Sequence, residues 1–459
     1  MTILAGVGYL VAVCLFILGL KLLSSPRTAR RGNLLSMIGM LVAVVVTLLD
    51  RQILDFRYII AGIIIGSMIG AVLALRVRMT AMPQMVALLN AFGGGASALV
   101  ALSEFLLRAT EFGAVAEVTT ALGVFIGMLT FTGSVVAFAK LEEMVKGTPV
   151  VFPGQTAVNF SLLAVILGLC AAFAVLFPSH GLAILLVILV LSSLAGILLV
   201  IPIGGADMPV VIALLNSYSG IAAAATGFII NNYVLIVSGA LVGASGVILS
   251  QIMCKAMNRS LANVLFGAVG GEVSPGGRAD SRRVTRYSPL DAATALENSR
   301  LVIIVPGYGL AVAQAQYVLQ DIATALQKRG ARVLYGIHPV AGRMPGHMNI
   351  LLAEASVPYD MLKDIDEINE EFRACDAVLI AGANDVVNPA AREKGNPLSG
   401  MPILNIDQAQ SVIFIKRSLS PGFAGVDNPL FYDPKTMMVF GDAKEVLHKI
   451  LDALKETAS

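Results

Sequence analysis

Three sets of residues have types and spacings suited to chemistry. The first is Lys416-Arg417-Ser418, two cations and a hydroxyl directly after the apolar run Val412–Ile415. Charge-assisted donors at the end of a strand suit a phosphate monoester; ordinary surface charge is the competing reading. The second is Gly307-x-Gly309-x-x-Val312, which follows the apolar run Leu301–Val305 and opens a helical stretch expected over 310–329 and capped by Gly330. It approximates the dinucleotide spacing GxGxxG/A. There the first glycine permits a sharp turn, and the second lets a pyrophosphate approach the backbone at a helix N-terminus. Arg332–Ile337 reads as the next strand. It ends in His338-Pro339 with no acid for the ribose hydroxyls, and Arg343 follows, so the pattern favours NADP over NAD. Gly382-Ala383-Asn384-Asp385 stands after a further strand, Asp376–Ala381, at the carboxyl end where such sheets bind ligands.

The third set lies in apolar sequence: Asn90, then Asn216, Ser217 and Ser219, with Asp207 just before Pro209. Polar groups at membrane depth are costly unless paired. They read either as interhelical hydrogen bonds or as a wet path for a proton or ion.

The elements that position these residues differ between the two halves of the chain. Only 14% of the 459 residues are charged and 57% are hydrophobic. A soluble domain carries ~25% charged residues, so an ordinary soluble enzyme, a disordered chain and a nucleic-acid binder are excluded. Residues 1–255 hold 12 Lys/Arg and 8 Asp/Glu; residues 256–459 hold 20 and 22. Nine apolar segments of spanning length are expected at about 3–23, 34–50, 57–75, 83–107, 116–139, 157–177, 181–202, 208–230 and 234–254. The first reads as a retained span, not a signal peptide. Ten Lys/Arg flank one side of these spans (Lys21, Arg27, Arg30, Arg31, Arg76, Arg78, Lys140, Lys146, Lys255, Arg259) and three the other (Arg51, Arg57, Arg108). That bias places the N-terminus outside and the C-terminal part in the cytoplasm. Glycines at GxxxG spacing (Gly62, Gly66, Gly70; Gly239, Gly243) and the run 93–95 suit close helix packing. The four cysteines lie far apart without a CxxC, and read as buried small hydrophobes rather than disulfide or metal ligands. The fold class is thus a multi-span helical membrane domain of about nine helices (1–255), a linker (256–289) and a soluble Rossmann-like α/β domain with a parallel sheet (290–459).

The strings PGYGLAVAQAQ (306–316), GIHPVAGRMPGHMN (336–349), AGANDVVNPAA (381–391), KRSLSPGFAGVDNPLF (416–431) and FGDAK (440–444), with MPVVIALLNSYSG (208–220) and CKAMNRS (254–260), carry a resemblance. The chain resembles, over essentially its whole length, the beta subunit of the proton-translocating NAD(P) transhydrogenases. The resemblance implies that NADP(H) binds this chain and NAD(H) binds a separate alpha-type subunit, which adds the remaining membrane helices. Hydride then passes directly between the two nicotinamides, coupled to proton entry into the cytoplasm. No catalytic side chain and no metal are needed. It also implies a dimer of the whole complex in the lipid of a bacterial plasma (inner) membrane, without nucleic-acid partners.

Carried over by position, Tyr308 contacts the nucleotide, and Val340, Ala341, Gly342, Arg343, Met344 and Pro345 wrap it. Gly382, Ala383, Asn384, Asp385, Val386 and Val387 line the site near the nicotinamide, with Gly400 and Met401 beside them. Lys416, Arg417 and Ser418 hold the 2′-phosphate, and residues 419–426, including Leu419, Ser420, Pro421, Gly422 and Phe423, form a lid. Asp442, Ala443 and Lys444 complete the pocket. The family binds its nucleotide in a flipped orientation, which conflicts with a pyrophosphate on the first helix. Two positions depart from the pattern. Phe423 stands where a Tyr is common. Asn90 stands where some relatives carry a His that relays the proton. Since Asn cannot titrate, the titrating group is either Asp207, water-linked to Asn216, or a residue of the partner, which this reading favours. Two other functions remain in play: a nucleotide-sensing membrane transporter, and a membrane-anchored NADP reductase. Neither a selectivity filter nor an acid/base constellation stands in the sequence to support them.

Overall fold

The computed structural model describes residues 3–23, 26–50, 56–77, 81–108, 113–145, 150–204, 207–257, 260–266, 284–342, 346–396, 398–422 and 424–456. Packing divides the chain into two units: residues 1–204 with 211–250, and residues 205–210 with 251–459.

The first unit is built of long apolar helices: α1 (Ile3–Leu23), α2 (Pro26–Asp50), α3 (Arg57–Arg76), α4 (Met82–Arg108), α5 (Ala114–Leu141), α6 (Gln155–Val200), α7 (Met208–Ile229) and α8 (Tyr233–Ala256). Among the described residues they supply nine segments long and apolar enough to cross a membrane. These match the nine expected spans, with ends differing by up to six residues in either direction. Helix α6 holds two of them, Gln155–Leu176 and His180–Val200. Drawn straight, its 46 residues would be ~69 Å long. The Val150 N–H nevertheless donates to Ile201 O at 3.4 Å. The five residues from Val150 to the start of α6 can cover only ~17 Å, so the run folds back between its two spans. Phe173 and Leu185, one from each span, accordingly share a core cluster with Phe105 of α4 and Phe125 of α5.

Small residues carry the close contacts. A Cβ on Gly220 of α7 would meet the backbone of Gly239 and Gly243 of α8 within 2.8 Å, and one on Gly94 of α4 would meet Gly127 O of α5 at 2.7 Å. At Gly62, Gly66 and Gly70 of α3, by contrast, a Cβ would meet nothing within 4 Å. At the end of α5 the buried Lys140 ammonium donates to the carbonyls of Ile201 and Ile203, the latter at 2.9 Å. A cation there satisfies the acceptors that a helix leaves open at its C-terminus.

The second unit contains a parallel six-stranded sheet in the order β3-β2-β1-β4-β5-β6. The strands are β1 (Leu301–Pro306), β2 (Arg332–Ile337), β3 (Leu362–Asp364), β4 (Ala377–Ala381), β5 (Ser411–Lys416) and β6 (Thr436–Phe440). Strands β1 and β4 are buried at every position, as a sheet covered on both faces requires. The helices are α9 (Leu261–Phe266), α10 (Pro289–Glu297), α11 (Tyr308–Ala313), α12 (Gln316–Lys328), α13 (His347–Glu354), α14 (Ile365–Glu371) and α15 (Ala443–Glu456). A Ser288–Asp291 capping box starts α10. The strand order reverses direction between β1 and β4, the switch point at which such sheets open a crevice beyond their carboxyl ends.

One expected element is corrected. The helix over 310–329 is two helices, broken at Gln314, whose φ of 51° is left-handed. Gly330, with φ 89°, ends the second helix as expected. The segment read as a linker contains α9, and its Arg259, Arg278, Arg282 and Arg283 lie outside the described residues.

Candidate nucleotide site and membrane polar residues

The loops that leave β1, β4, β5 and β6 converge at one edge of the sheet. They enclose a cleft of about 330 Å³ lined by Gly309, Val312, Gly382, Ala383, Asn384, Ile415, Lys416, Arg417, Ser418, Ser420, Pro421, Gly422, Gly441 and Ala443. Every loop comes from the carboxyl end of its strand, because all six strands run parallel. Twelve of the expected cofactor residues are in this lining. Ile415 and Gly441 line it too and were not expected. Their signal was positional, since each adjoins a string already singled out.

The glycines of the fingerprint are used for packing. A Cβ on Gly307 would collide with the Gly382 carbonyl and with Ala383, and one on Gly309 would lie 2.7 Å from the Gly382 Cα. Gly382 has φ 75°, a conformation that costs other residues energy. The Gly307 N–H donates to Ala381 O at 2.9 Å and the Gly309 N–H to Gly382 O at 3.0 Å. Those two donors are therefore spent on the neighbouring loop, and α11 is only six residues long. Gly309 and Val312 nevertheless line the cleft.

The basic cluster is held in a specific way. The Lys416 ammonium donates to Ser420 O at 2.9 Å and lies 4.3 Å above the Phe431 ring. Burial pushes it down to about 8, against the opposing pull of the Asp385 and Asp427 carboxylates. Lys416 thus tethers the start of the lid. Arg417 faces outward, with two-thirds of its side chain exposed, and pairs with Asp442 at 3.0 Å. Ser418 Oγ donates to Ser420 Oγ at 2.9 Å. The lid and the two residues after it are tied to the segment after β4 at three points. Ala424 N–H donates to the Asp385 carboxylate at 3.0 Å, Asn428 to Asn384 at 3.1 Å, and Asn388 to Asp427 O at 3.1 Å. A Cβ on Gly422 would overlap the Asp385 carboxylate.

The remaining expected contacts fall around this cleft rather than in its lining. Tyr308 sits with its ring 6.4 Å from that of His347. Val340, Ala341 and Gly342 start the loop after β2. Val386 and Val387 are buried in the core cluster beneath the site. Gly400 and Met401 precede Pro402, while Leu419, Asp442 and Lys444 flank the lining residues. Arg343, Met344, Pro345 and Phe423 lie outside the described residues.

His338 ties two of these segments together. Its Nδ1 accepts the Val340 N–H at 3.2 Å, so its Nε2 carries the proton and donates to Pro402 O at 2.7 Å. A second proton on Nδ1 would face that N–H. Burial pushes the imidazole down to about 4, despite the opposing bond to Pro402. Below its ordinary value of 6.5 the unfolded chain therefore takes up a proton that the folded one refuses. Stability is full above pH 6.5 and falls as pH drops towards 4, by roughly 3 kcal/mol from this group. Denaturant midpoints of the chain and its His338→Gln variant, taken from pH 7 to 4, should converge at the acid end.

In the first unit, the buried Asn90 amide of α4 donates to Ile212 O of α7 at 3.3 Å. In a helix that carbonyl belongs to the Asn216 N–H, one turn on. Ser217, also fully buried, donates to Gly243 O of α8 at 2.5 Å. The hydroxyl of Ser219 would meet a Cβ on Gly93 at 2.7 Å. Asn90 and Ser217 thus join α7 to α4 and α8, as the interhelical reading requires. Asp207 directly precedes the first residue of α7.

Comparison with known proteins bears on both units. The family model described as NAD(P) transhydrogenase beta subunit matches residues 5–453. The NAD(P) transhydrogenase subunit beta of Rhodospirillum rubrum is 49% identical, the alignment covering 97% of this chain and 98% of the relative. A counterpart from a specified strain of that species matches to the same extent. On a match spanning both its membrane helices and its parallel sheet, the chain belongs to the NAD(P) transhydrogenase beta subunit family.

Proposed function

We propose that the chain binds NADP(H) in the cleft at the carboxyl edge of its sheet. It exchanges hydride there with NAD(H) held by a transhydrogenase alpha subunit, while its membrane helices carry the coupled proton. The observation that supports this reading is the outward-facing Arg417, beside Ser418, at the end of β5 in a cleft walled by the backbone of Gly309, Gly382 and Gly422. Glycine backbone lets a planar ligand approach closely, and a guanidinium next to a hydroxyl suits a phosphate monoester. Asp442 neutralises Arg417 when no anion is near. Residues 307–309, 312, 340–345, 382–387, 400–401, 416–423 and 442–444 would hold the dinucleotide. When bound, its nicotinamide supplies the hydride chemistry, and the protein supplies position and exclusion of water. His338 holds two of these segments in register, and Lys416 holds the lid.

On this reading residues 1–255 form the translocation domain, 256–289 the linker and 290–459 the nucleotide domain. The complex is a dimer in a bacterial inner membrane, with the N-terminus outside and the nucleotide domain in the cytoplasm. Asn90, Asp207, Asn216 and Ser217 would organise the proton path, with the titrating group on the partner. Calorimetry on Arg417→Ala tests the site. Its affinity for NADP(H) should fall by about 1.5–3 kcal/mol, roughly ten- to hundredfold, while NAD(H) binding stays the same. An unchanged preference for NADP(H) would remove Arg417 from the site.

A further inference from the structure

Residues 284–287 join the sheet along an edge that leads to the nucleotide cleft. Arg286 forms a parallel bridge with Met438 of β6, and the Tyr287 N–H donates to Met438 O at 2.9 Å. Val284 packs against the core cluster beneath the sheet. The Arg286 guanidinium lies 5.1 Å above the ring of Phe440, the last residue of β6. Residues 284–287 thus dock on the outer edge of β6 before the capping box starts α10.

The residues after Phe440 belong to the cleft. Phe440 pairs in register with Lys416, and the Gly441 N–H donates to Lys416 O at 3.0 Å. Gly441 and Ala443 line the cleft, and Asp442 holds Arg417. One short covalent and hydrogen-bonded path therefore runs from Arg286 through Phe440 and Gly441 to Lys416 and the Asp442–Arg417 pair. Arg286 is exposed while Phe440 is half-buried, and an exposed cation over a ring is a weak contact that a change in the approach of the chain can make or break.

We propose that Arg286 is a positioning residue of the coupled reaction. It latches the segment arriving from the membrane helices onto β6, so that displacement of that segment is delivered to the Gly441–Asp442 side of the cleft. Arg286 touches no cofactor. The inference rests on the proton-coupled reading above. A purely structural Arg286 would alter only the stability of the domain and leave the response to a gradient intact.

The test uses the assembled enzyme, this chain with its alpha subunit, in liposomes. NADP⁺ reduction by NADH is measured with and without an imposed pH gradient, and melting temperature is followed in parallel. Stimulation in the wild type is the control for the proton-coupled reading; its absence there would defeat that reading, and the inference with it. Given that stimulation, Arg286→Gln should reduce the stimulation factor by about two- to fivefold, the equilibrium weight of an exposed cation–π contact. The rate without a gradient should hardly change. Arg286→Lys, which keeps a cation over the ring, should restore most of the stimulation, and Phe440→Leu should lose it as Arg286→Gln does. Full wild-type stimulation in Arg286→Gln, or loss of stimulation strictly proportional to a fall in melting temperature across the three variants, would overturn the proposal.

Discussion

Replacing Asn216 by Ala should reduce proton-coupled turnover of the assembled enzyme by roughly 10²-fold, the scale of a lost positioning group rather than of a titrating one. Asn216 lies on α7 one turn beyond Ile212, whose carbonyl takes the Asn90 amide at 3.3 Å, and beside Ser217, which is bonded to α8. These neighbours fix the backbone around Asn216, whose amide orients water on the proposed reading. Asp207 is nine residues earlier, ~13 Å along the helix axis, so water or other helices must join the two. NADP(H) binding should survive the change, because every residue lining the nucleotide cleft lies between Gly309 and Ala443, in the second unit. Asn90→Ala should do less. Asn90 makes an interhelical bond, and in membrane proteins such bonds are worth about 0.6 kcal/mol on average. Full pumping by both variants would make these polar residues structural and remove the proposed path.

The second large effect is all-or-none. The purified chain should show no NADH-to-NADP⁺ hydride transfer until an alpha subunit is added. Two nucleotides must meet for direct transfer, and the described residues hold one six-stranded dinucleotide-type sheet. A spectrophotometric assay of the chain alone and with its partner decides this. Robust turnover by the chain alone would sink the subunit assignment.

Much of this architecture was legible because its signals are local and strong. Spans such as α3 and α8 are uninterrupted apolar runs of about the right length, and β1, β2, β4 and β5 are short apolar runs stopped by glycine or a change to charge. Strands β3 and β6 were not legible. Leu362–Asp364 is three residues with no apolar pattern, and Thr436–Phe440 is ordinary apolar sequence whose edge position only the fold defines. The break at Gln314 follows no proline or glycine; the left-handed residue there is a tertiary choice that local propensity does not record.

The site divides in the same way. The composition of the Lys416-Arg417-Ser418 triplet suits a phosphate, but does not say that Lys416 turns inward to Ser420 and Phe431 while Arg417 turns outward. Glycines 307 and 309 announce a tight turn. The space they leave is filled by the loop after β4, more than seventy residues away in sequence, and no spacing rule reveals that partner. The docking of Arg286 on Phe440 was hidden for the same reason, inside a segment read from its composition only as a linker.

The central claim, that hydride transfer at this cleft is coupled to proton movement through these helices, is tested most directly in liposomes. The chain and its alpha subunit are reconstituted, a pH gradient is imposed in the direction of proton entry on the side of the nucleotide domain, and reduction of NADP⁺ by NADH is followed. The account predicts a rate that rises with the gradient and returns to its basal value when a protonophore collapses it. A rate indifferent to both the gradient and the protonophore would contradict it.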